Sequence, residues 1–115
     1  MRVFLALLSL AATTFAYQVT SPNSQEIWYS HGPVTVSWQR VDTDAEYFTM
    51  VLYNDKYQTL QTLAPKVDGK LGKTTIYPSG ALPVGEGYQV NFVQDPSHLH
   101  NILAQSSAFK IQPSK

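Results

Sequence analysis

Aromatic side chains are the groups in this chain whose chemistry most strongly suggests a ligand. Tyr47, Tyr53 and Tyr57 follow one another closely in a stretch where polar and apolar residues alternate. A tyrosine ring offers a π-electron face that attracts the C–H face of a sugar ring. Three such rings on one solvent-facing surface could receive a polysaccharide or a partner protein. The structural alternative is that tyrosine simply suits a half-exposed strand.

The two tryptophans flank a Gly-Pro pair and raise the same question of ligand or core. Trp38 alternates with Val34 and Val36, which predicts a shared buried face and a packing role. Trp28 has no such pattern around it. Its ring either closes one end of the fold or, beside Tyr29, stacks on a sugar ring. Trp28 therefore joins the three tyrosines as a candidate ligand-binding residue.

Groups able to bind a metal ion are sparse. His98 and His100, in the stretch DPSHLH, have the His-x-His spacing that aims two imidazoles to one side of an extended segment. A zinc site needs three or four ligands, and the chain contains no cysteine. A solvated loop is the favoured interpretation, and we predict no metal and no cofactor.

The acidic stretch DTDAE, which contains Asp42, Asp44 and Glu46, is interpreted as a polar connection between strands. It fails as a calcium loop, because Tyr47 stands where the sixth residue should be glycine and Tyr53 where the twelfth should be glutamate. A glycosidase pair would need one acid in an apolar pocket, which closely spaced loop acids do not suggest. The chain also lacks a nucleophile elbow, a P-loop and a dinucleotide fingerprint. No catalytic residue is predicted, and the protein is expected not to be an enzyme.

Alternation of apolar and polar residues predicts the strands that must carry these side chains. Pro, Gly, Asn and Asp separate about seven short segments, and no stretch keeps a 3.6-residue period. The predicted strands cover 17–20, 33–39, 46–54, 57–64, 73–79, 87–94 and 106–112. This pattern is typical of an all-β antiparallel sandwich of the immunoglobulin or fibronectin-III kind.

The third predicted strand determines where a tyrosine platform would lie. Its wholly apolar face consists of Phe48, Met50 and Leu52. Since successive side chains of a strand point to opposite faces, Tyr47 and Tyr53 belong to the other, solvent-facing side. The short turn that follows predicts a hairpin, which would bring Tyr57 close to that side.

The N-terminal stretch indicates export. Residues 1–16 combine a positive Arg2, a short apolar run and small residues before a cleavage point after Ala16, as in a secretory signal peptide. The mature chain would be a single domain over 17–115. No GPI signal or membrane-spanning stretch is recognised, so we expect a secreted, extracellular protein without a membrane anchor. The net charge of zero provides no basic surface for a nucleic acid.

Four stretches, in the order SPNSQEIWYSHGPVTVSW, LQTLAPKV, YPSGALPVGEGYQVNFV and ILAQSSAFKI, resemble the yeast cell-wall synthesis KRE/KNH-like N-terminal domain family. The shared pattern includes a Val-x-Trp, a Leu-Pro-x-Gly-x-x-Tyr turn and a closing Ser-x-x-Phe-x-Ile. Its positions here are Pro22, Trp28, Gly32, Val36, Trp38, Leu82, Pro83, Gly85, Tyr88, Ser106, Phe109 and Ile111. The resemblance covers nearly the whole mature chain and implies an immunoglobulin-like β-sandwich.

The resemblance also implies a secreted fungal protein of the cell wall with a link to β-1,6-glucan assembly, and it supplies no catalytic residues. The leading interpretation is a non-catalytic domain that binds wall β-glucan or a wall protein through an exposed aromatic strand face. The alternative is a secreted protein-interaction module or effector that does not bind glucan.

Overall fold

The computed structural model describes residues 17–40, 46–78 and 80–114. In chain order its elements are β1 (Gln18–Ser21), β2 (Ile27–Tyr29), β3 (Val34–Gln39), β4 (Tyr47–Asn54), β5 (Thr59–Asp68), a 3-10 turn (Gly69–Leu71), β6 (Lys73–Ile76), β7 (Gly85–Val93), β8 (Ile102–Gln105) and β9 (Phe109–Gln112). Across the described residues, no helix is long and apolar enough to cross a bilayer. The expected signal peptide at 1–16, and the acids Asp42 and Asp44, lie outside them.

The strands form two sheets that pack face to face. The smaller sheet has the order β1-β3-β6, and the larger has the order β2-β9-β7-β4-β5, with β8 also paired to β7. Every pairing is antiparallel except that of β2 with β9, which is parallel. The predicted immunoglobulin-like β-sandwich is confirmed.

The strand count differs from the prediction in two places. The seven predicted segments all contain strands, but the described residues also include β2 and β8. With three residues, β2 is too short for alternation to be recognised. The four residues of β8, ILAQ, do not alternate between apolar and polar. Each is defined by its partner: β2 lies along β9, and β8 lies along β7.

Four aromatic rings form the centre of the core between the sheets. The rings of Phe48 and Phe92 stack with their centroids 3.9 Å apart. Trp38 meets both edge-on, at 5.3 and 5.4 Å, and Tyr17 contacts them at 5.1 and 5.7 Å. The indole Nε1–H of Trp38 donates to the carbonyl of Gly69 at 2.8 Å, so the buried polar atom is satisfied. The predicted packing role of Trp38 is confirmed.

A serine joins β8 to β9 along one edge of β7. Both short strands pair with the same side of β7, and Ser106 lies in the gap between them. Its backbone N–H donates to the carbonyl of Val90 at 2.9 Å. Its hydroxyl oxygen accepts the N–H of Val90, also at 2.9 Å. The side chain thus replaces the backbone acceptor that an unbroken strand would supply, and both residues are buried.

Replacing Ser106 with alanine is expected to destabilise the domain by about 1–3 kcal/mol, the cost of leaving a buried donor unsatisfied. The donor is the N–H of Val90, whose acceptor the substitution removes. Equilibrium urea denaturation measures the change. The control is Ser107→Ala at the adjacent exposed position, which removes no acceptor of Val90. Equal stability of the two variants would contradict this role for Ser106.

Candidate ligand-binding grooves

The outer face of β4 is not the open aromatic surface that alternation predicts. Tyr47 and Tyr53 do share this face, about 20 Å apart at roughly 3.4 Å per residue. The two residues between them on this face, Thr49 and Val51, are completely buried. Val93, which lies opposite Thr49 on β7, is also completely buried. The expectation of a continuous solvent-facing platform is therefore wrong.

The loop between β7 and β8 (94–101) explains this burial. Its start, Asp95 and Pro96, lines one groove together with Tyr47. Its end, His100, lines a second groove together with Tyr53. The loop therefore crosses the outer face of β4 between the two tyrosines and divides the face into separate sites.

Hydrogen bonds within this loop hold its shape. A carboxylate oxygen of Asp95 accepts the backbone N–H of Ser97 at 2.8 Å and lies 2.7 Å from Nδ1 of His98. The N–H of Asn101 donates to the carbonyl of His98 at 3.0 Å, and the N–H of Gln94 donates to that of Asn101 at 3.2 Å. The hydrogen bond from His98 holds the pKa of the Asp95 carboxyl below its ordinary value. The loop thus presents a carboxylate that stays ionised at the groove it borders.

The groove around Tyr47, called the Tyr47 groove, encloses about 400 Å³. Its walls are largely apolar, with a few polar groups. The lining residues are Tyr47, Phe48, Thr49, Pro65, Lys66, Gln94, Asp95 and Pro96. Tyr47 is 46% exposed, and the ammonium group of Lys66 lies 4.6 Å from the centre of its ring, a cation–π contact that steadies the ring.

The groove around Tyr53, called the Tyr53 groove, is more polar. Its lining residues are Tyr53, Asn54, Asp55, Gln58, Thr59, Leu60 and His100. The amide of Asn54 is already engaged, since its oxygen accepts the N–H groups of Lys56 and Tyr57 and its nitrogen donates to Glu86. Tyr53 is only partly exposed, so it offers less ring surface than Tyr47.

Tyr57 lines neither groove, although the predicted β4–β5 hairpin is confirmed. Its ring packs beside that of Tyr88, with the centroids 5.9 Å apart. Tyr88 points into the core and is buried. The ring also lies against Gly85, where a Cβ atom would come within 2.8 Å of it. Tyr57 is 46% exposed, but its ring packs against Tyr88 and Gly85 and shares a groove with neither Tyr47 nor Tyr53.

Trp28 has almost no exposed ring surface for stacking on a sugar, although it lines a groove together with Tyr29 and Pro33. It is 6% exposed, and its ring packs against that of Phe109 with the centroids 4.7 Å apart. Its neighbours Ile27 and Tyr29 point to the opposite, exposed face of β2. The structure therefore supports the packing alternative for Trp28, and Trp28 is corrected from a candidate ligand-binding residue to a core residue.

The two histidines are directed to different partners. His98 pairs with Asp95, whereas His100 lines the Tyr53 groove. Within 17–40, 46–78 and 80–114, no group of three or more His, Asp and Glu side chains is arranged to hold a metal ion. Glu46, the remaining acid of DTDAE, makes a backbone hydrogen bond: its carbonyl accepts the N–H of Gly69 at 2.7 Å.

The sequence pattern does not indicate the residues that complete the Tyr47 groove, namely Pro65, Lys66 and Pro96. They come from β5 and from the loop after β7, far from Tyr47 in the chain. One signal was present: Val51 and Val93 are apolar residues on a face that alternation assigns to solvent. Two valines on such a face, one on each of two paired strands, indicate that something covers it, although not which segment does so.

The comparison with known families agrees with this architecture. The model of the Kre9/KNH-like N-terminal Ig-like domain matches residues 21–111, which include all the strands except most of β1 and the end of β9. An uncharacterized protein of Schizosaccharomyces pombe is 30% identical over 93% of this chain and 30% of its own length. A protein of Aspergillus fumigatus named as a GPI-anchored membrane protein is 32% identical over 99% of this chain and 52% of its own length.

The chain thus spans between about a third and about half of the curated relatives that it matches. The second relative is named as a membrane-anchored protein, whereas we expected this protein to have no membrane anchor. The name applies to the relative and not to this chain. The family match, together with the two-sheet topology, identifies the domain. This chain belongs to the Kre9/KNH-like N-terminal Ig-like domain family.

Proposed function

We propose that this domain works at the fungal cell surface, where it binds a β-glucan of the wall through the Tyr47 groove and catalyses no reaction on it. Support for the location comes from the family match and from the similarity to a protein of Aspergillus fumigatus named as a GPI-anchored membrane protein. Secretion and GPI anchoring both place a domain outside the cell, so the proposal holds for either. A role in assembling β-1,6-glucan is part of the same proposal.

The observation that carries the proposal is the composition of the Tyr47 groove. A half-exposed tyrosine ring lies beside two prolines, which together give an apolar surface for the C–H face of a sugar. Lys66, Gln94 and Asp95 also line the groove, and their polar groups can hydrogen-bond to sugar hydroxyls. A concave apolar surface with a few polar groups is the usual composition of a small-molecule site.

Nothing in the groove suggests a reaction. Asp95 is the only carboxylate among the residues that line it, whereas glycoside hydrolysis generally needs two carboxyl groups on either side of the bond. The carboxyl of Asp95 also has a lowered pKa, which is opposite to what a general acid requires. These features support a binding role.

Replacing Tyr47 with alanine is expected to weaken retention on wall glucan by about tenfold, corresponding to 1.4 kcal/mol. An aromatic anchor in an interface often contributes more than 1 kcal/mol. Affinity electrophoresis of the purified protein through gels containing β-1,3-glucan or β-1,6-glucan measures the loss, and a chitin pull-down tests the remaining wall polysaccharide.

Two variants serve as controls for this experiment. Tyr47→Phe keeps the ring and should keep most of the binding if stacking dominates. Tyr77→Ala removes a tyrosine that is 77% exposed and outside the groove, so retention should not change. Equal weakening by Tyr77→Ala would rule out the Tyr47 groove as the site. If no polysaccharide retains the protein at all, the protein-interaction alternative replaces the proposal, and release of free sugar would show that the domain is an enzyme.

A further inference from the structure

The free edges of the two sheets differ greatly in length. Among the described strands, those with an unpaired edge are β1, β2, β5, β6 and β8. Four of them have only three or four residues, and β5 has ten. Short edge strands are one of the ways in which proteins prevent sheets from pairing with each other. By length alone, β5 is the edge most open to a further strand.

The two halves of β5 differ in how well they are protected. The register against β4 shifts twice around Met50, once between Thr62 and Ala64 of β5 and once between Ala64 and Val67. This second half also contains Pro65 and Lys66. A bulge, a proline and a lysine are all features that block edge pairing.

The first half of β5, the segment 59–64, contains no proline and no lysine, and a register shift affects only its end, between Thr62 and Ala64. From Thr59 to Thr62 its register against β4 is regular. The segment reads TLQTLA and contains no charge and no proline. Leu60 is a large apolar residue that remains 39% exposed. A regular register over 59–62, no charge and an exposed leucine are the properties of an edge that accepts another strand.

We propose that the segment 59–64 is a strand-pairing site and that its partner is the same segment of a second copy of this chain, paired antiparallel. A two-fold interface must be complementary to itself, and an uncharged strand meets its own copy without like-charge repulsion. A two-fold axis perpendicular to the sheet places the outer faces of both copies on the same side of the joined sheet. The larger sheets of the two copies would then join edge to edge.

The pairing of β5 with β4 shows which side chains meet in such a dimer. Leu60 lies opposite Tyr53, and Thr62 lies opposite Val51, so both belong to the outer face of the sheet. In the dimer, Leu60 and Thr62 of one copy lie beside Leu60 and Thr62 of the other. Contact between exposed leucine and threonine side chains across paired strands is favourable.

Sedimentation equilibrium of the purified protein over a wide concentration range tests the proposal, which does not depend on glucan binding. The expected result is a rise in average mass toward twice that of the monomer. Thr62→Lys, which adds a charge to the free edge, should remain monomeric at every concentration. The matched control is Gln112→Lys, because Gln112 is exposed on β9, a strand paired on both sides. This control should dimerise like the unsubstituted protein.

Amide hydrogen exchange distinguishes strand pairing from any other kind of dimer. Protection in the segment 59–64 should increase with protein concentration, and protection in the equally exposed edge β6 should not. Circular dichroism of Thr62→Lys confirms that the variant is folded. A protein that stays monomeric throughout, or a dimer that Thr62→Lys leaves intact, would overturn the proposal.

Discussion

Replacing Phe92 with alanine is expected to lower the free energy of unfolding by about 3–5 kcal/mol, the usual cost of removing a buried aromatic ring. The ring is fully buried and contacts three others, stacking on Phe48 and meeting Trp38 and Tyr17 edge-on. The substitution removes these contacts and leaves a cavity between the sheets. Since a domain of this size has about 5–15 kcal/mol of stability, the variant would be only marginally folded.

Equilibrium urea denaturation measures this loss for Phe92. The conservative variant Phe92→Leu keeps apolar volume in the same place, so its loss should be much smaller. Lys110→Ala, at an exposed position on β9, should stay within about 0.5 kcal/mol of the unsubstituted protein. A loss below 1 kcal/mol for Phe92→Ala, about the cost of a mild core change, would show that the four-ring cluster is not the centre of the core.

Replacing Trp28 with alanine is the second substitution with a large expected effect, at about 3 kcal/mol of stability. The indole is buried between the sheets against Phe109, so the change removes packing at the β2–β9 end of the sandwich. Because the ring has almost no exposed surface, glucan retention per folded molecule should not change. The two readouts, stability and retention, therefore separate the packing interpretation from sugar stacking.

The control for Trp28 is its neighbour in β2. Tyr29→Ala removes an aromatic residue that is 50% exposed on the opposite face, and its stability should change by no more than about 0.5 kcal/mol. If Trp28→Ala left the domain stable but abolished retention on glucan, Trp28 would again become a candidate ligand-binding residue. Urea denaturation and affinity electrophoresis at low temperature, where the variant is folded, provide both measurements.

The structure gives a physical reason for one of the positions that carry the sequence resemblance. Ser106 opens the pattern Ser-x-x-Phe-x-Ile, and its hydroxyl accepts the N–H of Val90 where β8 gives way to β9. Phe109 and Ile111 of the same pattern point into the core. At this spacing, the serine holds the junction of β8 and β9 to β7. The phenylalanine and the isoleucine attach β9 to the core.

Alternation was enough to predict which side chains face the core. Val36 and Trp38 on β3, and Phe48 and Met50 on β4, are all buried as predicted. The reason is local: a strand directs successive side chains to opposite faces, so a run of apolar residues at every second position can be buried on one face only. The β-sandwich class follows from several such strands separated by turns.

Only the tertiary structure decided what happens on the outer face of β4. Alternation places Tyr47 and Tyr53 there, but whether they are open depends on the loop 94–101, which is distant in the chain. Val51 between them is buried, and the two ends of that loop line one groove with Tyr47 and another with Tyr53. A period of two residues records the geometry of one strand, and it contains no information about which distant segment comes to cover it. For this protein, the sequence determined the sandwich and its core, and long-range packing determined where a ligand can bind.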